Sequence, residues 1–194
     1  LEQGLIASQD LTAFTARQIE THGDSALTAR LRKHWGEIRV TPEEQTKQIA
    51  AHLKALTPDL LSKADLANGE QLFKQHCATC HRFFGEGGNV GPDITGTQRN
   101  NLPYLLENIV SPNSSVARDY QMSIVRTTQG RVITGLLESQ SPRGIIIANV
   151  NGRQTVPTNE IEEMRLSDVS VMPTGLLENL TERQVRDLFA FIRK

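Results

Sequence analysis

Apolar residues at three- and four-residue spacing run through the first third of the chain, and this spacing predicts helices. Residues 1–63 are therefore expected to form a helical segment. Asp24 or Ser25 is a candidate helix cap, and Thr41 with Glu44 predicts a capping box whose first helical position is Pro42. Helices in series are also compatible with a linker or with the end of a helical repeat region, and nothing in the segment points to catalysis.

Three further helices are predicted by the same spacing. They cover residues 65–81, residues 102–110 after Asn101, and the segment after Thr181, which forms a capping box with Gln184. The first and last of them are expected to cross, because a glycine in the first allows close approach and the last carries one apolar face. The residues expected at this crossing are Gly69, Phe73, Leu188, Phe189 and Ile192.

Between residues 119 and 166 the apolar period changes to two residues, which predicts β-strands. The expected strands begin near Tyr120, Val132, Ile145, Gln154 and Ile161. Turns between them are predicted at Gly130 and at the pair Asn151-Gly152. Together these patterns predict a mainly α fold, in which a helical core carries a small antiparallel β insertion and follows an N-terminal helical segment.

The strongest chemical signal is the run Cys77-Ala78-Thr79-Cys80-His81. Two thiols separated by two residues and followed directly by a histidine are the attachment signature of c-type haem. The short spacing lets both sulfurs form thioethers to one porphyrin edge, and it carries the histidine beneath the ring as an iron ligand. These are the only two cysteines in the chain, so no other thiol competes for either of them. The sequence therefore predicts one covalent haem c whose iron is bound by His81.

Two other uses of the cysteine pair are weaker. A disulfide between Cys77 and Cys80 is typical of thioredoxin-like proteins, but no βαβ pattern flanks the motif. A structural zinc ion needs about four ligands. His22, His34 and His52 are scattered far upstream in the helical segment, and they are more simply explained as packing or surface residues.

The composition of the chain argues against several kinds of partner. The chain has 194 residues, of which 38% are hydrophobic and 22% charged, and its formal net charge is -1. That balance gives no reason to expect nucleic acid or an anionic membrane as a partner. No apolar run is long enough to span a membrane, and no signal-peptide core follows Leu1. Because haem is attached to c-type cytochromes outside the cytoplasm, we expect a processed or excised piece of a periplasmic or otherwise exported protein.

The helical parts resemble a class I cytochrome c. Gly69 and Phe73 precede the attachment motif with the spacing of that family's first helix, and residues 91–96 resemble the segment after its proximal histidine. The resemblance implies that the carbonyl of Pro92 accepts a hydrogen bond from the imidazole, which orients the ring and makes its other nitrogen a better donor. It also implies that Met172, in the loop ahead of the last helix, is the distal iron ligand.

More specifically, residues 65–194 resemble the haem-binding domain of the planctomycete–verrucomicrobial type. In that family a c-type core carries a β insertion before the methionine loop, within large exported multidomain proteins. The expected domains are thus a helical segment over residues 1–63 and a cytochrome c domain over residues 64–194, with the insertion at about residues 119–166. The resemblance implies a cytochrome c-like helical core around one haem.

The sixth iron ligand decides the expected function. Met122 lies in an alternating strand pattern typical of a sheet core and Met164 lies among charged residues, whereas Met172 lies in a loop before proline. Histidine and a thioether saturate the iron, which favours one-electron transfer to or from a redox protein or a dehydrogenase domain, without catalysis by the domain itself. A vacant or labile sixth position would instead favour binding or sensing of a diatomic gas. A structural module, in which the haem mainly stabilises the fold, is the third alternative.

Overall fold

The computed structural model covers residues 1–194, and it describes the backbone throughout and every side chain except those of Gln9, Phe14 and Glu37. Over this described chain there are seven α-helices: α1 (Ala13–Thr21), α2 (Ser25–His34), α3 (Glu43–Ala55), α4 (Pro58–Ser62), α5 (Leu66–His76), α6 (Leu102–Val110) and α7 (Glu182–Ile192). Nine strands accompany them: β1 (Gly36–Ile38), β2 (Arg82–Phe83), β3 (Glu86–Gly87), β4 (Ser115–Ala117), β5 (Gln121–Thr127), β6 (Val132–Ser141), β7 (Gly144–Asn149), β8 (Gly152–Pro157) and β9 (Ile161–Ser170).

The fold class expected from the sequence is wrong. Helices make up 39% of the chain and strands 25%, and the largest sheet has five antiparallel strands, so the protein is not mainly α. Part of the reason is that β1 to β4 are each two or three residues long. A strand of that length is too short for the alternation of apolar and polar residues to be visible in the sequence.

The chain groups into two compact units, each made of two stretches of sequence. The first unit contains Leu1–Arg39 and Asn113–Val171, and the second contains Val40–Pro112 and Met172–Lys194. The domain boundary expected between residues 63 and 64 stays a prediction from sequence.

The helical part of the first unit is organised around Trp35, which is 1% exposed and packs against Ala16 and Leu31. The indole Nε1 donates a hydrogen bond of 2.8 Å to the carbonyl of Leu11. Directly after Trp35, β1 pairs antiparallel with β4. Gly36 at this junction has φ 144° and lies against a backbone carbonyl of β4, so only glycine fits there.

The larger sheet of the first unit has five strands in the order β8-β7-β6-β5-β9, and these are the five strands predicted from the sequence. Its core is aliphatic and consists of Val125, Ile133, Ile145, Ile147 and Val156. The turn predicted at Gly130 is confirmed by its φ of 77°, and the one predicted at Gly152 by its φ of 112°. The ends of the stretch 113–171 lie next to each other, because the Ser170 N–H donates to Asn113 Oδ1 at 2.9 Å.

The second unit is built on a crossing of α5 and α7. Gly69 lies at the contact, where a Cβ would overlap the backbone carbonyl of Asp187 and come within 2.8 Å of the Phe191 Cβ. The rings of Phe73 and Phe191 are 5.7 Å apart at their centres. The predicted crossing is therefore confirmed, but α7 meets Gly69 through Asp187 and Phe191, whereas the residues expected there are buried in the core.

Helix α7 contributes one complete apolar face to the core of the second unit. Its apolar face consists of Val185, Leu188, Phe189 and Ile192, each 2% exposed or less. At about 1.5–3 kcal/mol for each fully buried large apolar side chain, this face is a major source of stability for the unit. Further core residues come from α6 and from the segment around α3 and α4, namely Leu56, Leu61, Leu105, Leu106 and Val110.

The predicted caps of α6 and α7 are confirmed, whereas the predicted end of α5 and the predicted capping box of α3 are wrong. Asn101 caps α6, and Thr181 forms the expected capping box at the start of α7. The helix predicted over residues 65–81 ends at His76, because the backbone leaves α-helical geometry at the first cysteine. The box predicted at the start of α3 does not form, because Pro42 occupies the capping position and its ring offers no acceptor.

Candidate functional site

The haem-attachment motif lies on a single turn directly after α5. The N–H groups of Cys77 and Ala78 donate to the carbonyl of Phe73 at 2.8 and 2.9 Å, and the His81 N–H donates to the carbonyl of Cys77 at 2.9 Å. The Cys80 N–H also donates to the Cys77 carbonyl, at 3.1 Å. These bonds bring the two thiols and the imidazole, which the sequence predicted to act together, onto one continuous turn.

The surroundings of the two thiols keep them neutral. Burial, together with the neighbouring Cys80, raises the pKa of Cys77 to about 12. Burial also raises the pKa of Cys80. The thiolate is the reactive form in disulfide exchange, so the raised pKa values slow that reaction. The two sulfurs are not joined in a disulfide.

The imidazole of His81 is held by the loop that follows it. Its Nδ1 lies 2.9 Å from the carbonyl oxygen of Pro92, the contact that the resemblance implied. Because a carbonyl oxygen only accepts, Nδ1 carries the proton and Nε2 keeps the electron pair that a metal ligand needs. Burial lowers the pKa of His81, and the hydrogen bond to Pro92 opposes this only in part. The ring is thus neutral at pH 7 and fits an iron ligand.

Three glycines bring the following loop against the motif. Gly87 and Gly88 lie against the backbone carbonyls of His81 and Thr79, with no room for a Cβ. Gly91 lies against the imidazole itself, where a Cβ would come within 2.6 Å of Cε1. The N–H groups of Gly88 and Gly91 also donate to carbonyls of the motif, each at 2.8 Å. Packing of these glycines against the motif was not predicted from the sequence. The several glycines that follow the motif could have indicated it, because glycine allows close approach of two backbones.

The strands β2 and β3 form a hairpin that the sequence did not predict. Phe84 and Gly85 form its tip with φ of 48° and 85°, and two successive positive φ angles are those of a type I′ turn. The ring of Phe84 is 59% exposed, and its centre is 4.5 Å from that of Phe83. The guanidinium carbon of Arg99 lies 5.1 Å from the ring centre of Phe84 and 5.2 Å from that of Phe83.

The three methionines lie in different parts of the fold. Met122 in β5 and Met164 in β9 belong to the first unit, and Met164 is 37% exposed. Met122, expected in the sheet core, is only partly buried. Met172 is partly buried and begins the last stretch of the second unit, the unit that also contains His81. Its ligation to iron stays a prediction.

A cavity of about 400 Å³ lies in the second unit between α3, α6 and the segment before α7. Polar side chains of α3, among them Gln48 and His52, form one part of its wall. The rest is formed by apolar residues of α6, among them Ile109, and by the segment of residues 174–180. Burial lowers the pKa of His52, and the charge of Glu182 opposes that shift. No residue of the attachment motif lines this cavity.

Neither a cluster of metal-ligating side chains nor a membrane-spanning helix is found among the described residues. Among the described side chains, no group of three or more His, Cys, Asp or Glu residues could hold a metal ion. A haem iron takes most of its ligands from the porphyrin, so His81 with at most one more protein ligand fits this finding. None of the helices that the structure describes is both long and apolar enough to cross a membrane.

A match to a known protein family supports the interpretation of this site as a haem site. The family model described as Cytochrome c matches residues 66–131, a stretch that contains Cys77, Cys80, His81 and Pro92. Residues 66–131 are therefore similar to the cytochrome c family, in agreement with the class I-like resemblance, and such a domain implies covalently bound haem c with its iron. The match ends well before Met172. No curated protein matches the chain, and the more specific planctomycete–verrucomicrobial resemblance stays a prediction.

Proposed function

We propose that this chain transfers electrons one at a time through a single haem c. The observation that carries the proposal is the bond between His81 and Pro92, because it holds a neutral imidazole with Nε2 free in the turn that also carries both thiols. The cytochrome c match over residues 66–131 supports it. The presence of only two cysteines supports one haem per chain.

The residues of the site have distinct tasks in this proposal. When bound, the haem iron supplies a reversible one-electron couple. Cys77 and Cys80 anchor the group through their sulfurs, and His81 donates Nε2 to the metal. Pro92 keeps the proton on Nδ1, which prevents rotation of the ring and strengthens Nε2 as a donor. Gly91 leaves the space that the ring needs.

Met172 is the proposed sixth ligand. It belongs to the same unit as His81, whereas Met122 and Met164 belong to the sheet of the other unit. A thioether at the sixth position stabilises Fe(II) and raises the reduction potential. It also leaves no vacancy for substrate, so the domain would pass electrons without performing catalysis itself.

We further propose that the domain acts in an exported, periplasmic setting and exchanges electrons with a dehydrogenase domain or a separate redox protein. The support for the location is the chemistry of the motif, since haem is attached to c-type cytochromes outside the cytoplasm. The support for a protein partner is that the motif implies an electron carrier and that the sequence around it shows no evident acid–base pair.

Optical spectra of the oxidised and reduced protein, with and without carbon monoxide, test the proposal. The wild type should show a six-coordinate reduced spectrum that carbon monoxide leaves unchanged. Met172→Ala should lower the reduction potential and bind the gas, while Met164→Ala, in the exposed part of the sheet, should do neither. Prompt gas binding by the wild type would replace electron transfer with the gas-binding alternative.

A further inference from the structure

We propose that Phe84 and Arg99 form the contact surface for the redox partner, and that this partner presents an apolar pocket with a carboxylate at its rim. The inference rests on the proposed function, namely that the cytochrome domain exchanges electrons with another protein. Three observations lead to it: the backbone geometry of Phe84, its connection to the attachment turn, and the charge beneath its ring.

The backbone at Phe84 is unfavourable for its side chain. The φ of 48° lies in the left-handed region, which bulky residues rarely adopt and which Asn or Gly would occupy at lower cost. The strain is not explained by burial, because 59% of the side chain is exposed. Exposure of one aromatic ring is ordinary, but backbone strain retained at an exposed hairpin tip points to a contact with another molecule.

The hairpin tip is closely connected to the attachment turn. Phe83 follows His81 by one intervening residue, and its buried ring lies 4.5 Å from Phe84 and 5.2 Å from Phe73. Phe73 in turn supplies the carbonyl that accepts the first two N–H groups of the turn. The Phe84 N–H is fixed by Thr95 Oγ1 at 2.8 Å. A partner seated on Phe84 would therefore lie against a well-fixed surface that is connected to the attachment turn.

The charge of Arg99 indicates what the partner carries. Its guanidinium donates to backbone carbonyls of Thr95, Ile192 and Lys194, and within the described structure it forms no ion pair. Its positive charge, 5.1 Å from the exposed ring, is thus available to an incoming carboxylate.

The nearby carboxylates are engaged in other interactions. Hydrogen bonds from Thr95 lower the pKa of Asp93, with a smaller contribution from Arg82. Glu86 lies in the field of Lys74. Arg82 is exposed beside the hairpin and adds to the positive charge. An apolar pocket with an acidic rim complements this surface.

Electron-transfer rates to two small oxidants test the surface without requiring the natural partner. One probe is an anionic cobalt(III) complex of carboxylated bipyridine, which combines aromatic faces with carboxylates. The other is cationic cobalt(III) tris-phenanthroline, which has aromatic faces only. In each reaction one electron passes from the ferrous protein to Co(III), giving ferric protein and Co(II), and stopped-flow absorbance follows it.

Phe84→Asn should slow the reaction with the anionic probe by about two- to fivefold, the range for an exposed cation–π or stacking contact. Phe84→Tyr, which keeps the ring, should react like the wild type, and so should the control Leu66→Asn, a comparably exposed apolar residue. Arg99→Gln should slow the anionic probe and leave the cationic one unaffected or faster, because it removes attraction for carboxylates.

Equal rates of Phe84→Asn and wild type with the anionic probe would overturn the proposal, whatever the melting temperatures. If Phe84 only packs on Phe83, its replacement should lower the melting temperature and leave the rates unchanged. A dimer that depends on Phe84 in sedimentation would assign the surface to a second copy of the chain and also overturn it. Failure of the proposed function looks different, since no variant would then show reversible reduction of a haem.

Discussion

The side-chain amide of Asn68 donates a hydrogen bond of 2.9 Å to the fully buried carboxylate of Asp187. The other carboxylate oxygen accepts from the backbone N–H of Asp65 at 3.0 Å. Asp65 and Asn68 lie at the start of α5 and Asp187 lies in α7, so this carboxylate ties the crossing helices together beside Gly69. A carboxylate with no exposed surface is retained in such a place only when its partners satisfy it.

Replacing Asp187 by alanine should lower the free energy of unfolding by about 1–3 kcal/mol, because it leaves the backbone N–H of Asp65 and the side-chain amide of Asn68 without their acceptor at the helix crossing. Urea unfolding of the purified protein measures the change. Asp59→Ala is the control, since Asp59 forms only an exposed pair with Lys63 and should cost less than about 0.5 kcal/mol. Equal losses in the two variants would show that the buried network does not hold the crossing.

The same carboxylate should make stability depend on pH. Burial raises the pKa of Asp187, but hydrogen bonds from Asn68, Asp65 and Arg186 outweigh burial, and the net pKa is lowered. A lowered folded-state pKa contributes stability that is fully present above the unfolded pKa, near 4, and is lost as pH falls through the folded value. We expect the urea midpoint of the wild type to fall below about pH 4 more steeply than that of Asp187→Asn. Parallel curves for the two proteins would contradict this.

Gly69→Ala should destabilise the protein by about 1–3 kcal/mol, because the added Cβ meets the carbonyl of Asp187 and forces the helices apart. The matched control is Gly96→Ala, where a Cβ meets no atom within 4 Å. Thermal unfolding followed by circular dichroism compares the two. If both variants melt at the same temperature as the wild type, the close approach of α5 and α7 is not required.

Gly91→Ala should disturb the imidazole of His81, because the new Cβ would lie within 2.8 Å of Nδ1 and 2.6 Å of Cε1. The ring must move away from Pro92, which weakens its bond to iron. We expect a larger high-spin fraction in the optical spectrum of the ferric protein than in the wild type or in Gly96→Ala. An unchanged spectrum would mean that the loop shifts and the ring does not.

Mass spectrometry after acid–acetone extraction should show the wild-type chain heavier by one haem. Cys77→Ala and Cys80→Ala should each retain at most one thioether, and the double variant should release all haem into the organic phase. Extraction of haem from the wild type under the same conditions would contradict covalent attachment.

Features fixed by neighbours in sequence were predictable. The attachment motif from Cys77 to His81, the cap at Thr181 and the five strands of the sheet all depend on short-range signals. The pairing of β1 with β4 was not predictable, because it joins residues far apart in the chain through very short strands. The burial of Asp187 was missed for a similar reason, since its partners lie more than a hundred residues earlier. The fold class was misjudged because the predicted helical regions were longer than the observed helices and because the short strands β1 to β4 were missed.

The hydrogen bond between Asn113 and Ser170 has a consequence for folding kinetics. The two stretches of the second unit are separated by residues 113–171, yet the two ends of that segment meet. Once the sheet has formed, residues 113–171 no longer lengthen the connection between the two stretches of the second unit. The segment before α7 then follows α6 as if only a short loop joined them. The bypass roughly halves the effective connection between α5 and α7, so at about 0.6 kcal/mol for each doubling of loop length it saves about 0.7 kcal/mol of loop-closure entropy when α7 docks on α5. Early folding of the sheet therefore reduces the effective sequence separation of the α5–α7 contact, which should speed its formation.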